Sequence, residues 1–243
     1  QIFTFWVIVP PRTAFRNIKQ LPPGHSMVIQ DGRITSYPYW TLDLAPSRDI
    51  GRTSEKSLAE ELLVLLRDAT EIRLRSDVPV GAYLSGGIDS TVITALARNR
   101  AGNKLRTFSI GFEDSEFDET SYQREASSFL ETSHSDIRCT HQDISRIFPD
   151  VVWHAEQPII RTAPAPLYLL SKLVHDSGFK VVLTGEGADE LLGGYDIFKE
   201  TKVREFWSRQ PTSSWRPMLL KRLYPYMDNI QRQSLDYLKH FFH

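Results

Sequence analysis

From Val78 to Ser90 the chain reads Val-Pro-Val-Gly-Ala-Tyr-Leu84 followed by Ser85-Gly-Gly-Ile-Asp-Ser90, and a helical pattern then continues to about Arg100. A short apolar strand, a glycine-rich turn and a helix in direct succession are the opening unit of a fold in which strands and helices alternate. The residues downstream repeat that rhythm. Arg106–Phe112 is strand-like, Asp118 can cap a helix running to about Glu131, and Ser135–Cys139 reads as a strand. Ile144–Glu156 and Pro164–Ser177 are helical, with Pro164 and Pro166 marking a helix start, and Lys180–Thr184 is a last buried strand. The expected fold class is therefore α/β, a parallel sheet flanked by helices, with ligands held beyond the carboxyl ends of the strands.

Upstream the texture differs. His25–Gln30 and Arg33–Tyr37 flank Asp31-Gly32, a dipeptide suited to a two-residue hairpin turn, so the segment before the sheet reads as antiparallel strands. Pro46, Ser47, Gly51, Thr53 and Ser54 interrupt the apolar pattern and place a domain boundary there, giving expected domains 1–56 and 57–243. Ser57-Leu-Ala-Glu60 has the form of a capping box, and Leu58, Leu62, Leu65, Ala69 and Ile72 recur at helical spacing up to about Arg75.

Composition narrows the function classes. With 41% hydrophobic and 24% charged residues over 243 positions, the chain has the make-up of a folded globular protein. A net charge of -1, from 29 basic against 30 acidic residues, supplies no global field to recruit nucleic acid or an anionic membrane. The longest apolar run, Ile2–Pro11, is far short of the roughly 20 residues a membrane helix needs. The lone Cys139 excludes an intrachain disulfide and a clustered thiolate zinc site, which points to a reducing compartment, the cytoplasm.

Two loops carry the chemistry. In Ser85–Ser90, Gly86 and Gly87 let the backbone approach an anion, the following helix aims free amides and its dipole at negative charge, and Ser85 and Ser90 add hydroxyl donors. A carboxylate beside phosphates repels them unless a cation intervenes, so Asp89 implies magnesium. The loop lacks the lysine of a Walker A sequence, so a different nucleotide chemistry is expected. The second loop, Gly185-Glu-Gly-Ala-Asp-Glu190, follows the last strand and is trailed by Gly193-Gly194. Three acids in five positions are costly without a metal or cation, and Asp189 is the natural second metal ligand. Taken alone, the same loop also reads as the acidic start of a helix.

These residues carry a resemblance. Ser85–Ser90 resembles the PP-loop of the ATP pyrophosphatase superfamily, and with Thr184–Glu190 and Gly193-Gly-Tyr195 the pattern is similar to glutamine-hydrolysing asparagine synthetases. Leu21-Pro-Pro-Gly-His25, Ser76–Gly81, Phe108–Phe112, Phe117-Asp-Glu119 and Ala165–Ser171 fit the same family. The resemblance implies an adenine nucleotide α-hydrolase (PP-loop) fold preceded by a short antiparallel β segment left from a glutaminase domain. It implies ATP and Mg2+ as cofactors: ATP adenylates the aspartate side chain, pyrophosphate leaves, and ammonia drawn from glutamine attacks to give asparagine. By matching position, Ser85, Gly86, Gly87, Asp89 and Ser90 would hold pyrophosphate, and Asp89 and Asp189 would bind magnesium. Leu84, Ile110, Thr184 and Gly185 would hold the nucleoside, and Glu186 would support adenylate formation. One cation reaching both aspartates over the triphosphate is the expectation on which this reading turns.

The match stops in two places. The family's glutaminase nucleophile is a cysteine at the first position of the processed chain, where this sequence has Gln1, and residues 2–39 resemble only the last part of that domain. The family's downstream lysine has no counterpart here, and neither Lys221 nor Lys239 is assigned its role. Truncation at both ends is the expectation, with the glutaminase domain as the missing partner and a homodimer left open. Two alternatives stay beside the leading reading: a β-lactam-synthetase-like enzyme acting on another carboxylate, and a non-catalytic ATP-binding fragment. A tRNA-modifying relative is disfavoured by neutral charge. Cys139 reads as a buried structural thiol, His240 and His243 as surface residues, and Lys202–Tyr226 as an amphipathic helical segment. Glu156, Arg161 and Thr162 are candidates for shaping the aspartate pocket.

Overall fold

The computed structural model describes residues 1–43, 53–102 and 105–242. A helical turn α1 (Ile2–Phe5) precedes a hairpin of β1 (His25–Gln30) and β2 (Arg33–Pro38). The chain then alternates through α2 (Glu55–Arg73), β3 (Val80–Tyr83), α3 (Ile88–Ala101), β4 (Arg106–Phe112), α4 (Thr120–Phe129) and β5 (Ser133–Cys139). Next come α5 (His141–Ala155), α6 (Pro164–Asp176) and β6 (Val181–Leu183). Beyond β6 lie α7 (Ala188–Leu192), α8 (Asp196–Ser208), a 3-10 segment (Arg216–Arg222), α9 (Asp228–Gln231) and α10 (Leu235–Phe241).

Strands β3 to β6 form a parallel sheet in the order β5-β4-β3-β6, and β1 and β2 make a separate antiparallel pair. The α/β expectation holds, and the hairpin turns where Asp31 and Gly32 both take positive φ. From β3 the chain lays β4 and β5 on one side and returns to place β6 on the other, so strand order reverses between β3 and β6. In open α/β sheets that reversal opens a crevice at the strands' carboxyl ends.

Two compact units divide the chain after Thr184. In the first, neighbouring residues of one strand point to opposite faces of the sheet. Ala82 and Leu183 pack with Ala97 of α3, whereas Tyr83 and Val182 pack with Phe108 and with Leu170 and Val174 of α6. Helices therefore cover both faces. Each large apolar side chain so buried contributes about 1.5–3 kcal/mol. In the second unit Leu220, Leu223, Leu238 and Phe242 form a core against Val203 and Trp207 of α8. Among the described residues no helix is long and apolar enough to cross a membrane.

Several boundaries move. Ile2–Phe5 is a helical turn and not a strand. Helix α2 starts three residues early, because Ser54 and not Ser57 is its cap: the Ser54 hydroxyl accepts from the Ser57 N–H at 3.1 Å. Its stripe of Leu58, Leu62, Leu65 and Ile72 is exposed. Asp118 does not cap α4; its carboxylate instead accepts from Phe112 N–H (3.1 Å) and Thr120 Oγ1 (2.6 Å), which ties the end of β4 to the helix start. Those two hydrogen bonds, the Thr120 one first, hold its pKa below the usual carboxylate range. β6 is an edge strand in which only Leu183 is buried, since β3 alone pairs with it. Pro46, Ser47, Gly51 and His243 lie outside the described residues.

Candidate active site

The Ser85–Ser90 loop joins β3 to α3 and is closed by its own side chains. The Ser85 N–H donates to Ser90 Oγ (3.1 Å), the Gly87 N–H donates to Ser85 Oγ (3.2 Å), and Ser90 Oγ donates to the Gly87 carbonyl (3.2 Å). The Ser85 and Ser90 hydroxyls also meet each other at 2.8 Å. Thr91 Oγ1 adds a bond to the Gly87 carbonyl at 2.8 Å. Ser90 is buried, whereas Ser85 and Gly87 are exposed and Asp89 is half-buried.

Gly86 is fixed by two independent constraints. Its φ is +84°, and a Cβ there would sit 2.7 Å from the Tyr122 Cβ and 2.8 Å from the Gln123 N at the start of α4. The cap of α3 is Gly87, which offers no side-chain acceptor, so the first-turn amides of the helix have neither a capping side chain nor an intrahelical partner. That is a cradle for an anion.

The strand ends beside the loop are held as firmly. The Leu84 N–H donates to the Phe108 carbonyl at 3.0 Å, and the Leu84 carbonyl accepts from the buried Ser109 hydroxyl. The Leu84 side chain is buried. Ile110, half-buried near the end of β4, has its carbonyl bonded by Gln123 Nε2 at 2.9 Å.

Residues 184–190 continue the chain from β6. Thr184 and Glu186 are exposed, Gly185 and Asp189 half-buried. Gly187 (φ +92°) caps α7, and Asp189 and Glu190 lie in that helix's first turn. A side chain at Gly194 would collide with the Asp189 carboxylate, and the Gly194 N–H donates to the Asp189 carbonyl at 3.0 Å. Tyr195 Oη donates to Glu190 Oε1 at 3.2 Å. That hydrogen bond first, then burial and the charges of Glu190, Asp189 and Glu186, raise the tyrosine's pKa and keep it protonated.

Among the described residues no group of three or more His, Cys, Asp or Glu side chains could hold a metal by itself. Magnesium commonly takes one or two carboxylates with substrate phosphates and waters, and neither the Asp89 nor the Asp189 carboxylate has a hydrogen-bond or ion-pair partner among the described residues. Each carboxylate by itself has the oxygen chemistry that magnesium takes. Cys139 is buried, and burial first, with Asp143 second, raises its thiol pKa, as suits a structural residue. Arg161 and Thr162 line a cavity of about 690 Å³ with Phe112, Cys139 and Ile144; the Arg161 guanidinium lies 4.5 Å from the Trp6 ring centre. Glu156, with φ of 52°, ends α5 and is not among the lining residues. Ser109, Tyr122 and Gln123 join the site through strand pairing and helix packing, for which no local sequence signal exists. Tyr195 stands in a quoted motif, and the acids beside it are the signal for its hydroxyl.

The sequence profile of the asparagine synthase family matches residues 61–242. Asparagine synthetase [glutamine-hydrolyzing] 1 of Bacillus subtilis is 34% identical over 221 residues, covering 90% of this chain and 34% of that protein. Putative asparagine synthetase [glutamine-hydrolyzing] 2 of Methanocaldococcus jannaschii is 35% identical over 79% of this chain and 37% of its own length. Amidase chyE of Penicillium rubens is 32% identical over 87% of this chain and 33% of its own length. The chain thus spans about a third of the length of the curated relatives it matches.

Proposed function

The chain belongs to the asparagine synthase family, and from that premise we propose that its sheet carries an ATP-dependent amide synthetase. The aspartate side-chain carboxylate attacks the α-phosphorus of ATP and expels pyrophosphate. Ammonia drawn from glutamine then attacks the acyl-adenylate carbonyl, forming asparagine and releasing AMP. The observation that supports this most is topological: the Ser85–Ser90 loop continues from β3, the acidic residues continue from β6, and β3 and β6 are the neighbours between which strand order reverses.

Each residue then has a task. The uncapped amides of α3, with Ser85, Gly86, Gly87 and Ser90, hold the pyrophosphate portion, and Asp89 and Asp189 hold magnesium. When bound, magnesium neutralises charge that builds on the departing pyrophosphate. Leu84, Ile110, Thr184 and Gly185 frame the nucleoside, and Glu186 supports adenylate formation. Donors already aimed at developing charge need little reorganisation as the reaction proceeds, so the chemistry asks for little acid–base work. A glutaminase domain supplying the ammonia is part of the same proposal.

The experiment is pyrophosphate release from ATP and magnesium with a panel of carboxylic acids. Aspartate-dependent release is expected. Release with no acid in the panel would overturn the proposal. A second reading has a specific support: relatives named as amidases align at 30–32% identity, so the family allows other carboxylates. Release with another acid and none with aspartate would favour it.

A further inference from the structure

The layer buried between the sheet and helices α3 and α4 is unusually polar, with Thr94, Thr107, Ser109, Gln123 and Ser127 all buried. Gln123 stands out among them. It is 3% exposed, its Nε2 donates to the Ile110 carbonyl at 2.9 Å, and its Oε1 is buried with no partner. The Nε2 bond satisfies the Ile110 carbonyl, whereas the buried, unpartnered Oε1 adds no stability of its own.

The backbone N of the same residue is one of the three atoms that crowd the missing Cβ of Gly86, so Gln123 touches the phosphate-side loop with its main chain and Ile110 with its side chain. The first turn of α4 is tied to β4 a second time through the Asp118 carboxylate, which accepts from both Thr120 Oγ1 and the Phe112 N–H, and one turn on Arg124 lies 3.7 Å from Asp136 of β5. This turn is a strut between the end of β4 and the Ser85–Ser90 loop.

We propose that Gln123 is a positioning residue for nucleotide recognition: it holds Ile110 in the place from which the nucleoside is read, while its own backbone braces the phosphate loop. The inference rests on the reading of Ile110 and Ser85–Ser90 given above. Because the side chain acts on Ile110 alone, its loss affects the nucleoside end of the ligand and spares the phosphate end.

The test titrates the full chain calorimetrically with AMP and, separately, with inorganic pyrophosphate, each with magnesium. Gln123→Met keeps the length and removes both polar atoms. Losing one oriented hydrogen bond should weaken AMP binding by about tenfold. Pyrophosphate affinity should stay within about twofold, while the melting temperature should fall modestly because the Ile110 carbonyl loses its donor. Gln123→Leu, which also removes both polar atoms, should give the same selective loss and serves if the methionine variant does not fold. Unchanged AMP affinity in either variant, or an equal loss for both ligands, overturns the inference alone. A wild-type chain that binds neither ligand overturns the site reading and this inference with it.

Discussion

The two loops that follow β3 and β6 solve opposite problems. Ser85–Ser90 is closed on itself: four hydrogen bonds link Ser85, Gly87 and Ser90, the key hydroxyl is buried, and α4 presses on Gly86. The acidic loop has little of this. It sits on a five-residue helix, Glu186 and Glu190 are exposed, and among the described residues its side-chain tie is the Tyr195–Glu190 hydrogen bond. The first loop is built before any ligand arrives, and the second concentrates negative charge. Preorganisation and charge are divided between them, so changes in each should fail differently.

The largest effect is expected from Gly86→Ala. A non-glycine residue in the left-handed region costs about 1–2 kcal/mol, and the new Cβ also meets the backbone of Tyr122 and Gln123. Thermal melts should shift downward and ATP binding should be lost. Retention of both would show that the loop is not rigidly built. Ser90→Ala should cost about 1–3 kcal/mol by leaving the Ser85 N–H without its acceptor, read as a lower denaturation midpoint and weaker pyrophosphate binding. A neutral result would remove the closed ring from the explanation.

Gly194→Ala is the counterpart in the second loop. Its Cβ collides with the Asp189 carboxylate, which can rotate away, so the melting temperature should hardly move. The magnesium concentration needed for half-maximal ATP binding should rise several-fold, by roughly 1 kcal/mol of lost ligand geometry. A drop in stability with unchanged magnesium dependence would erase the contrast between the loops.

Much of this architecture was legible in the residues because it is local. Alternating strand and helix patterns located β3 to β6, and Asp31-Gly32 marked the hairpin. Both loops stand out because glycine and clustered acid have few other reasons to sit at strand ends. What stayed hidden is what depends on residues distant in sequence. Ser109 reaches Leu84 through strand pairing, and Gln123 reaches Ile110 only when α4 docks. Ser54 and Ser57 present the same local chemistry, so the sequence does not distinguish which of them caps α2. Leu58, Leu62 and Leu65 stand at helical spacing and are exposed, because periodicity reports the helix and not what covers its face.

The proposed joint hold of Asp89 and Asp189 on magnesium is tested most directly by the ATP affinity of wild type, Asp89→Asn, Asp189→Asn and the double variant, titrated with and without magnesium. Each single change should remove most of the gain in affinity that magnesium brings, on the order of tenfold or more, and the double variant should be no weaker than the worse single one. A magnesium-dependent gain that survives either single substitution, or losses that multiply in the double variant, would contradict the account.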